Sequence, residues 1–247
     1  MPIQINCVQD LLVVLERSEG QVNQTVWYRG QGSAEWPLIP YYLRLKGSQS
    51  ESTLLKRFKQ SAAMLIENHP KNYFDWIFLM QHYGVPTRLL DWSESPLIAL
   101  YFAVENLVRD GDIDGALWLL SPSKLNRNAH ITDKDEYDYI PSFDDQELQG
   151  YSIDSLNGSS RFDLFPVATI ATRNNPRLQA QLGVFTIHHR DITPIEEVGD
   201  GSHVEKLIIP SESKERIKKQ LSILGYSKFQ LFPELSSIGD IIKESFQ

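Results

Sequence analysis

The sequence predicts an α+β fold: a mixed, mainly antiparallel sheet core with flanking helices, in one domain spanning residues 1–247. Three observations lead there. Short runs rich in β-branched, aromatic or aliphatic residues recur at 25–30, 115–120, 167–170, 179–187 and 204–209, bounded by Gly, Pro or polar residues. Between them the apolar residues fall at helical spacing rather than alternating. A third stretch, 126–163, follows neither pattern. There Asp133, Asp135, Glu136, Asp138, Asp144, Asp145 and Glu147 outnumber Lys134, and the segment reads as long loops or an irregular acidic insertion, solvated rather than packed.

Taken in order, Asn6 is placed to cap a helix over 7 to 19, with Val8, Leu11, Leu12 and Leu15 on one face and Gly20 near its end. The strand over 25–30 stops at Gly30 and Gly32, with Arg29 at its end. Glycines there let a ligand or another backbone come close, and the planar fork of Arg29 suits a phosphate or carboxylate. A plain ion pair with a neighbouring acid is the other reading of Arg29. A packing helix over 52 to 68 buries Leu54, Leu55, Phe58, Ala62, Leu65 and Ile66. The next helix, from about Lys71 to Tyr83, is apolar almost all round and is therefore covered on several sides.

Gly84 and Pro86 end that helix, the first by accepting a left-handed backbone and the second by forcing Val85 to be extended. His82 falls in the last turn, where the carbonyl end of the helix favours its protonated form. Residues 87 to 92 are extended, with Arg88 and Leu90 on one face and Leu89 and Asp91 on the other. Ser95 and Pro96 then open a helix carrying Leu97, Leu100, Tyr101 and Val104 inward. The polar density of 81–103 marks either a pocket or a self-satisfied buried network. Further on come strands at 115–120, 167–170, 179–187 with glutamines at its entrance, and 204–209. A helix running to about Gly225, a short strand at 226–232 and a helix over 234–244 complete the chain.

The formal net charge of −8 argues against loose binding to phosphate backbones, although a local basic pocket is compatible with it. The single cysteine, Cys7, cannot form an internal disulfide and reads as a small core residue in a reducing, cytoplasmic setting. No signal peptide and no apolar run of membrane-spanning length is expected. Metal-site spacing is absent, as are a P-loop and a G-x-S-x-G elbow, and Gly30-Gln31-Gly32 is too short for a dinucleotide fingerprint.

Together, Tyr28-Arg29-Gly30-Gln31, the run from Gln81 to Trp92, Ala99 to Ala103, Gln181 to Phe185 and Leu231-Phe232-Pro233 resemble the FRG domain family over roughly residues 25 to 240. The family is named for Phe-Arg-Gly, and Tyr28 stands here for the Phe. Its members occur in bacterial and phage proteins. More distantly, the aromatic-Arg-Gly strand end looks like the first motif of arginine-type ADP-ribosyltransferases, whose Arg helps to hold NAD. Asp91-Trp92-Ser93 and Gln179-Ala180-Gln181 occupy the chain order of their second and third motifs.

That resemblance implies an ADP-ribosyltransferase-like fold that binds NAD as substrate without a metal. It would transfer ADP-ribose to a protein or nucleic acid, or hydrolyse the cofactor, as a toxin or phage-defence effector. Arg29, Gly30, Arg88, Tyr83, Trp92 and Ser93 are then the cofactor-binding residues, and Asp91, Gln181 and His82 the catalytic ones. Gln181 replaces a Glu of the transferases, so the negative charge needed opposite an oxocarbenium-like ribose must come from Asp91 or Glu94. The alternative is a non-catalytic module that binds a nucleic-acid end, a nucleotide or a protein partner through the same pocket.

Overall fold

The computed structural model describes residues 2–18, 24–45, 49–66, 69–157, 164–173, 175–244 and 246. The strands are β1 Trp27–Gln31, β2 Leu89–Ser93, β3 Gly115–Leu120, β4 Val167–Thr169, β5 Gly183–Ile187 and β6 Val204–Ile209. The helices are α1 Val8–Ser18, α2 Tyr41–Arg44, α3 Glu51–Ala62, α4 Tyr73–His82, α5 Pro96–Val104, α6 Leu107–Asp110, α7 Pro122–Asn128, α8 Ile153–Asn157, α9 Pro176–Ala180, α10 Ser211–Ile223, α11 Lys228–Leu231 and α12 Leu235–Glu244. Among these residues no helix is long and apolar enough to cross a membrane.

The strands form one six-stranded sheet in the order β4-β5-β2-β1-β3-β6, and every neighbouring pair is antiparallel. The expected α+β class is therefore met, with the sheet antiparallel throughout. Both faces are covered, which explains why β3 is apolar at every position instead of alternating. Leu117 and Leu119 point toward Leu11 of α1, Leu100 of α5 and Ile217 and Leu221 of α10. Ala116, Trp118 and Leu120 point the other way, into a cluster with Trp27, Leu38, Leu90 and Trp92. A third cluster joins Phe74 and Ile77 of α4 to Leu89, Phe185 and Ile187.

One junction in the sheet is weak. β1 and β3 register over five residue pairs and β2 and β5 over five, but β1 and β2 register only at Tyr28 with Ser93. The sheet thus behaves as two halves that meet at one point and part beyond it. Gly30 lies just past that point. A Cβ there would sit 1.8 Å from the carbonyl oxygen of Ala99, so glycine is required by the close approach of α5. Of the two reasons the sequence offers for that glycine, the approach of another backbone is the one realised.

Helix ends follow local chemistry. The side chain of Asn72 accepts from the amide of Asp75 while Asp75 answers to the backbone of Asn72, closing a capping box that starts α4 two residues later than Lys71. Gly84 has φ of 73°, as expected after a helix stop. α3 ends at Ala62, and Leu65 is left exposed rather than packed.

Two expected elements differ. Residues 226–232 form the four-residue helix α11 rather than a strand, because Ser227 accepts from the amide of Gln230 and starts a turn. The entrance to β5 is the short helix α9, started by Asn175 and Pro176. The acidic stretch is also less irregular than its charge suggests. Phe143, Leu148 and Tyr151 are buried against α4 and β5, around a 3-10 turn at Gln146–Tyr151. The expected helix end near Gly20 and residues 158–163 of that stretch lie outside the described residues.

Candidate functional site

Where β1 and β2 part, a cleft of about 470 Å³ opens. Its walls come from β1 (Tyr28, Arg29, Gly30), β2 (Asp91, Trp92, Ser93), α5 (Phe102), the segment after β1 (Trp36, Arg44), and Arg109, Arg177 and Gln181. A small recess of about 50 Å³ adjoins it, sharing Asp91, Arg177 and Gln181 and adding Gln81 and His82.

Arg29 crosses the gap between the strands. Its Nη1 donates to the main-chain carbonyl of Asp91 at 2.5 Å, while its buried Nε has no partner among the described residues. Desolvation lowers its pKa; Asp91 opposes that shift and the like charge of Arg44 adds to it. The carboxylate of Asp91 is exposed at the opening, where Oδ2 accepts from Nε2 of Gln81 at 2.8 Å. Gln81 is itself oriented by Thr87, whose hydroxyl donates to its Oε1. Asp91 is therefore aimed by a two-residue chain of hydrogen bonds, the supporting arrangement that a working carboxylate needs.

Ser93 donates through Oγ to the main-chain carbonyl of Gln181 at 2.8 Å and accepts from the amide of Ser95 at 3.0 Å. It thereby pins the α9–β5 junction to β2. At that junction Leu182 has a positive φ of 46°, an unfavourable backbone for a branched side chain, and Gly183 cannot carry a Cβ without meeting Leu178 at 2.3 Å. Gln181 donates through Nε2 to the carbonyl of Leu231 at 3.0 Å. Two further contacts bring the same segment to the cleft: the guanidinium of Arg177 lies 4.7 Å above the Phe232 ring, and Nε2 of His82 is 3.6 Å from Oε1 of Glu234.

His82 differs from the expectation of a protonated ring. Burial lowers its pKa, Arg177 lowers it further, and Glu234 only partly offsets them. Against the pull of the helix C-terminus stand burial first and then the positive charge of Arg177, which donates to the carbonyl of His82 itself at 3.2 Å.

The structure thus brings Arg29, Gly30, Asp91, Trp92, Ser93 and Gln181 to one cleft, with His82 in the adjoining recess. Arg88 and Tyr83 are elsewhere. Arg88 is 2 % exposed; its Nε donates to Glu51 at 2.6 Å, Nη1 to the carbonyl of His188, and Nη2 to Tyr73 and to the carbonyl of Tyr151. Burial opposes its charge, but Glu51 and Tyr73 outweigh it and hold its pKa above the ordinary value. A guanidinium so enclosed ties α3 to β2 and has no free edge for a ligand. Tyr83 is 67 % exposed, outside the cleft, against His82 and Phe58. Trp92 lines the cleft but packs its indole in the core, donating to Thr186 at 3.0 Å. That ring is not free to stack on a base.

Sequence reasoning missed Trp36, Arg44, Phe102, Arg109 and Arg177 as site residues. Arg177 was visible as part of a polar turn, and the others carried no local signal. Among the described residues no group of three or more His, Cys, Asp or Glu side chains is arranged to hold a metal.

The fold and cleft define the class: an α+β protein with an arginine-lined cleft at a parting in its sheet. The model of the FRG domain family matches residues 24–112. The match takes in β1, β2 and α5 and most of the cleft, leaving Arg177 and Gln181 to the later part of the chain. Comparisons with curated proteins and with solved structures give no match.

Proposed function

We propose that this chain binds NAD in the cleft between the halves of its sheet and either transfers ADP-ribose to a macromolecular target or hydrolyses the cofactor, as a toxin or phage-defence effector. The observation that supports this most is the convergence of Arg29 and Asp91 from different strands on one cleft, with Gln181 in its wall.

In such a reaction the bond between ribose and nicotinamide breaks, and its electron pair leaves with nicotinamide. The ribose carbon becomes cationic, and the new bond comes from an acceptor hydroxyl, amine or water that gives up a proton. Asp91 would face the cationic carbon, steadied by Gln81. Gln181, its amide nitrogen held by Leu231, would offer its side-chain oxygen to a ribose hydroxyl. His82, kept neutral by its surroundings, would take a proton in the recess. Arg29 would hold phosphate. Arg88 and Tyr83, which lie outside the cleft, have no part in this scheme.

The test is release of nicotinamide from labelled NAD by the purified protein, with and without cell lysate. Asp91→Asn should slow release by about 10²-fold or more, in line with loss of a transition-state charge partner, and leave the melting temperature unchanged. No release and no labelled product from folded protein would remove the enzymatic reading. A second reading is favoured by one residue: Gln181 brings no charge where a transferase has Glu. A non-catalytic module for a nucleotide, a nucleic-acid end or a protein partner would bind without turnover.

A further inference from the structure

We infer that the cleft selects ligands bearing a diphosphate, and that Arg44 and Arg177 are the residues that make the selection; this deepens the nucleotide reading above and rests on it. Although the chain carries a net charge of −8, four arginines and one carboxylate line this cleft. Arg109 is neutralised in place, with Nε and Nη2 on the two oxygens of Asp110 at 2.8 and 2.6 Å. Arg29 has Asp91 beside it.

Arg44 and Arg177 have no carboxylate within ion-pair distance among the described residues. Glu105 acts on Arg177 and Arg109 from a distance but pairs with neither. Two positive charges therefore stand uncompensated in one cleft.

Both guanidiniums rest on aromatic rings. Arg44 lies 5.5 Å over Tyr41 and Arg177 4.7 Å over Phe232, a placement that orients the plane while leaving edge N–H groups for an anion. Arg29 and Arg44 lie close enough to repel one another, and Nε of Arg29 is buried without a partner. An anion between them relieves the repulsion and gives that donor an acceptor. A single carboxylate or an uncharged nucleoside leaves one of the two charges unmatched, whereas a diphosphate matches both. Trp36 and Phe102 offer aromatic surface for the rest of a nucleotide.

The experiment is calorimetric titration of ADP, AMP and adenosine at low ionic strength into wild type, Arg44→Gln, Arg177→Gln and Arg177→Lys, with melting temperatures recorded for each. ADP should bind about tenfold or more tightly than AMP, as expected for one further charge-assisted contact, with adenosine weakest. Arg44→Gln and Arg177→Gln should each bring ADP close to AMP, and Arg177→Lys should recover part of the preference while keeping the charge. Equal affinities for the three ligands, a preference unchanged in both glutamine variants, or no saturable binding of ADP would overturn the inference. Nicotinamide release reads the chemistry separately. A diphosphate preference without release removes catalysis and keeps this inference, and release without such a preference does the reverse.

Discussion

Arg29 donates through Nη1 to the main-chain carbonyl of Asp91, bridging the sheet where β1 and β2 stop pairing. The side chain takes the place of a missing rung in the ladder, so Arg29 holds the cleft as well as lining it. Arg29→Ala is expected to lower the unfolding free energy by about 1–3 kcal/mol, as for loss of a charge-assisted hydrogen bond, and to abolish nucleotide retention. Urea denaturation beside equilibrium binding checks both. A variant as stable as wild type would show that the bridge carries no structural load.

Glu51 and Arg88 form a buried pair, and Arg88 donates further to Tyr73 and to the carbonyls of His188 and Tyr151. Arg88→Met and Glu51→Gln should each cost about 3–5 kcal/mol, because each leaves a partner uncompensated in the interior. The double variant should cost less than the sum. Nucleotide affinity of the folded fraction should be unchanged, since neither residue lines the cleft. A drop in affinity with stability intact would return Arg88 to the site.

Gly30→Ala should be among the most damaging small changes in the chain. The added carbon would lie 1.8 Å from a backbone oxygen of α5, and neither backbone can yield cheaply. The expected outcome is loss of soluble folded protein, or a loss of at least about 3 kcal/mol, read by denaturant titration.

His188 is fully buried, its Nε2 against the carbonyl of Thr193 at 3.2 Å. Burial pushes its pKa down from 6.5 to about 4. Because the native value is the lower one, the unfolded chain binds the proton first. This group's contribution is complete above pH 6.5 and is lost as pH falls from there toward 4, by about 3 kcal/mol in all. Urea midpoints at pH 7.5 and 4.5 should fall further apart in wild type than in His188→Gln. Equal pH dependence would mean that His188 does not titrate as stated.

What could be read in advance was local. Gly84, Pro86, Ser95 and Pro96 act on their own or adjacent backbone, so the ends of α4 and α5 were legible from residue types alone. Arg29 could be named from the glycines that follow it and Asp91 from the polar residues around it, although each stands at the middle of its strand. Arg88 looked like a ligand residue because its partner, Glu51, lies 37 positions upstream and nothing in either neighbourhood announces the other. The shift at His82 is hidden for a related reason: the helix end is local, but the burial that lowers its pKa most comes from the tertiary fold, and Arg177 arrives from 95 positions away. Arg44 and Arg109 are ordinary surface arginines until the topology turns them toward one opening. The α9 helix was available in the Asn175-Pro176 signal and was masked by the apolar run that follows it.

The contacts of Leu231, Phe232 and Glu234 with Gln181, Arg177 and His82 set an order in time as well as in space. During synthesis Arg29 and Asp91 leave the ribosome early and can pair as soon as β1 and β2 form. Gln181 has nothing to hold its amide until some fifty residues more have emerged. A nascent chain therefore passes through a stage in which the cationic trough is built but its last wall is not. Competence to hold a ligand should rise late and abruptly with chain length, which a series of stalled nascent chains probed with a fluorescent nucleotide would record.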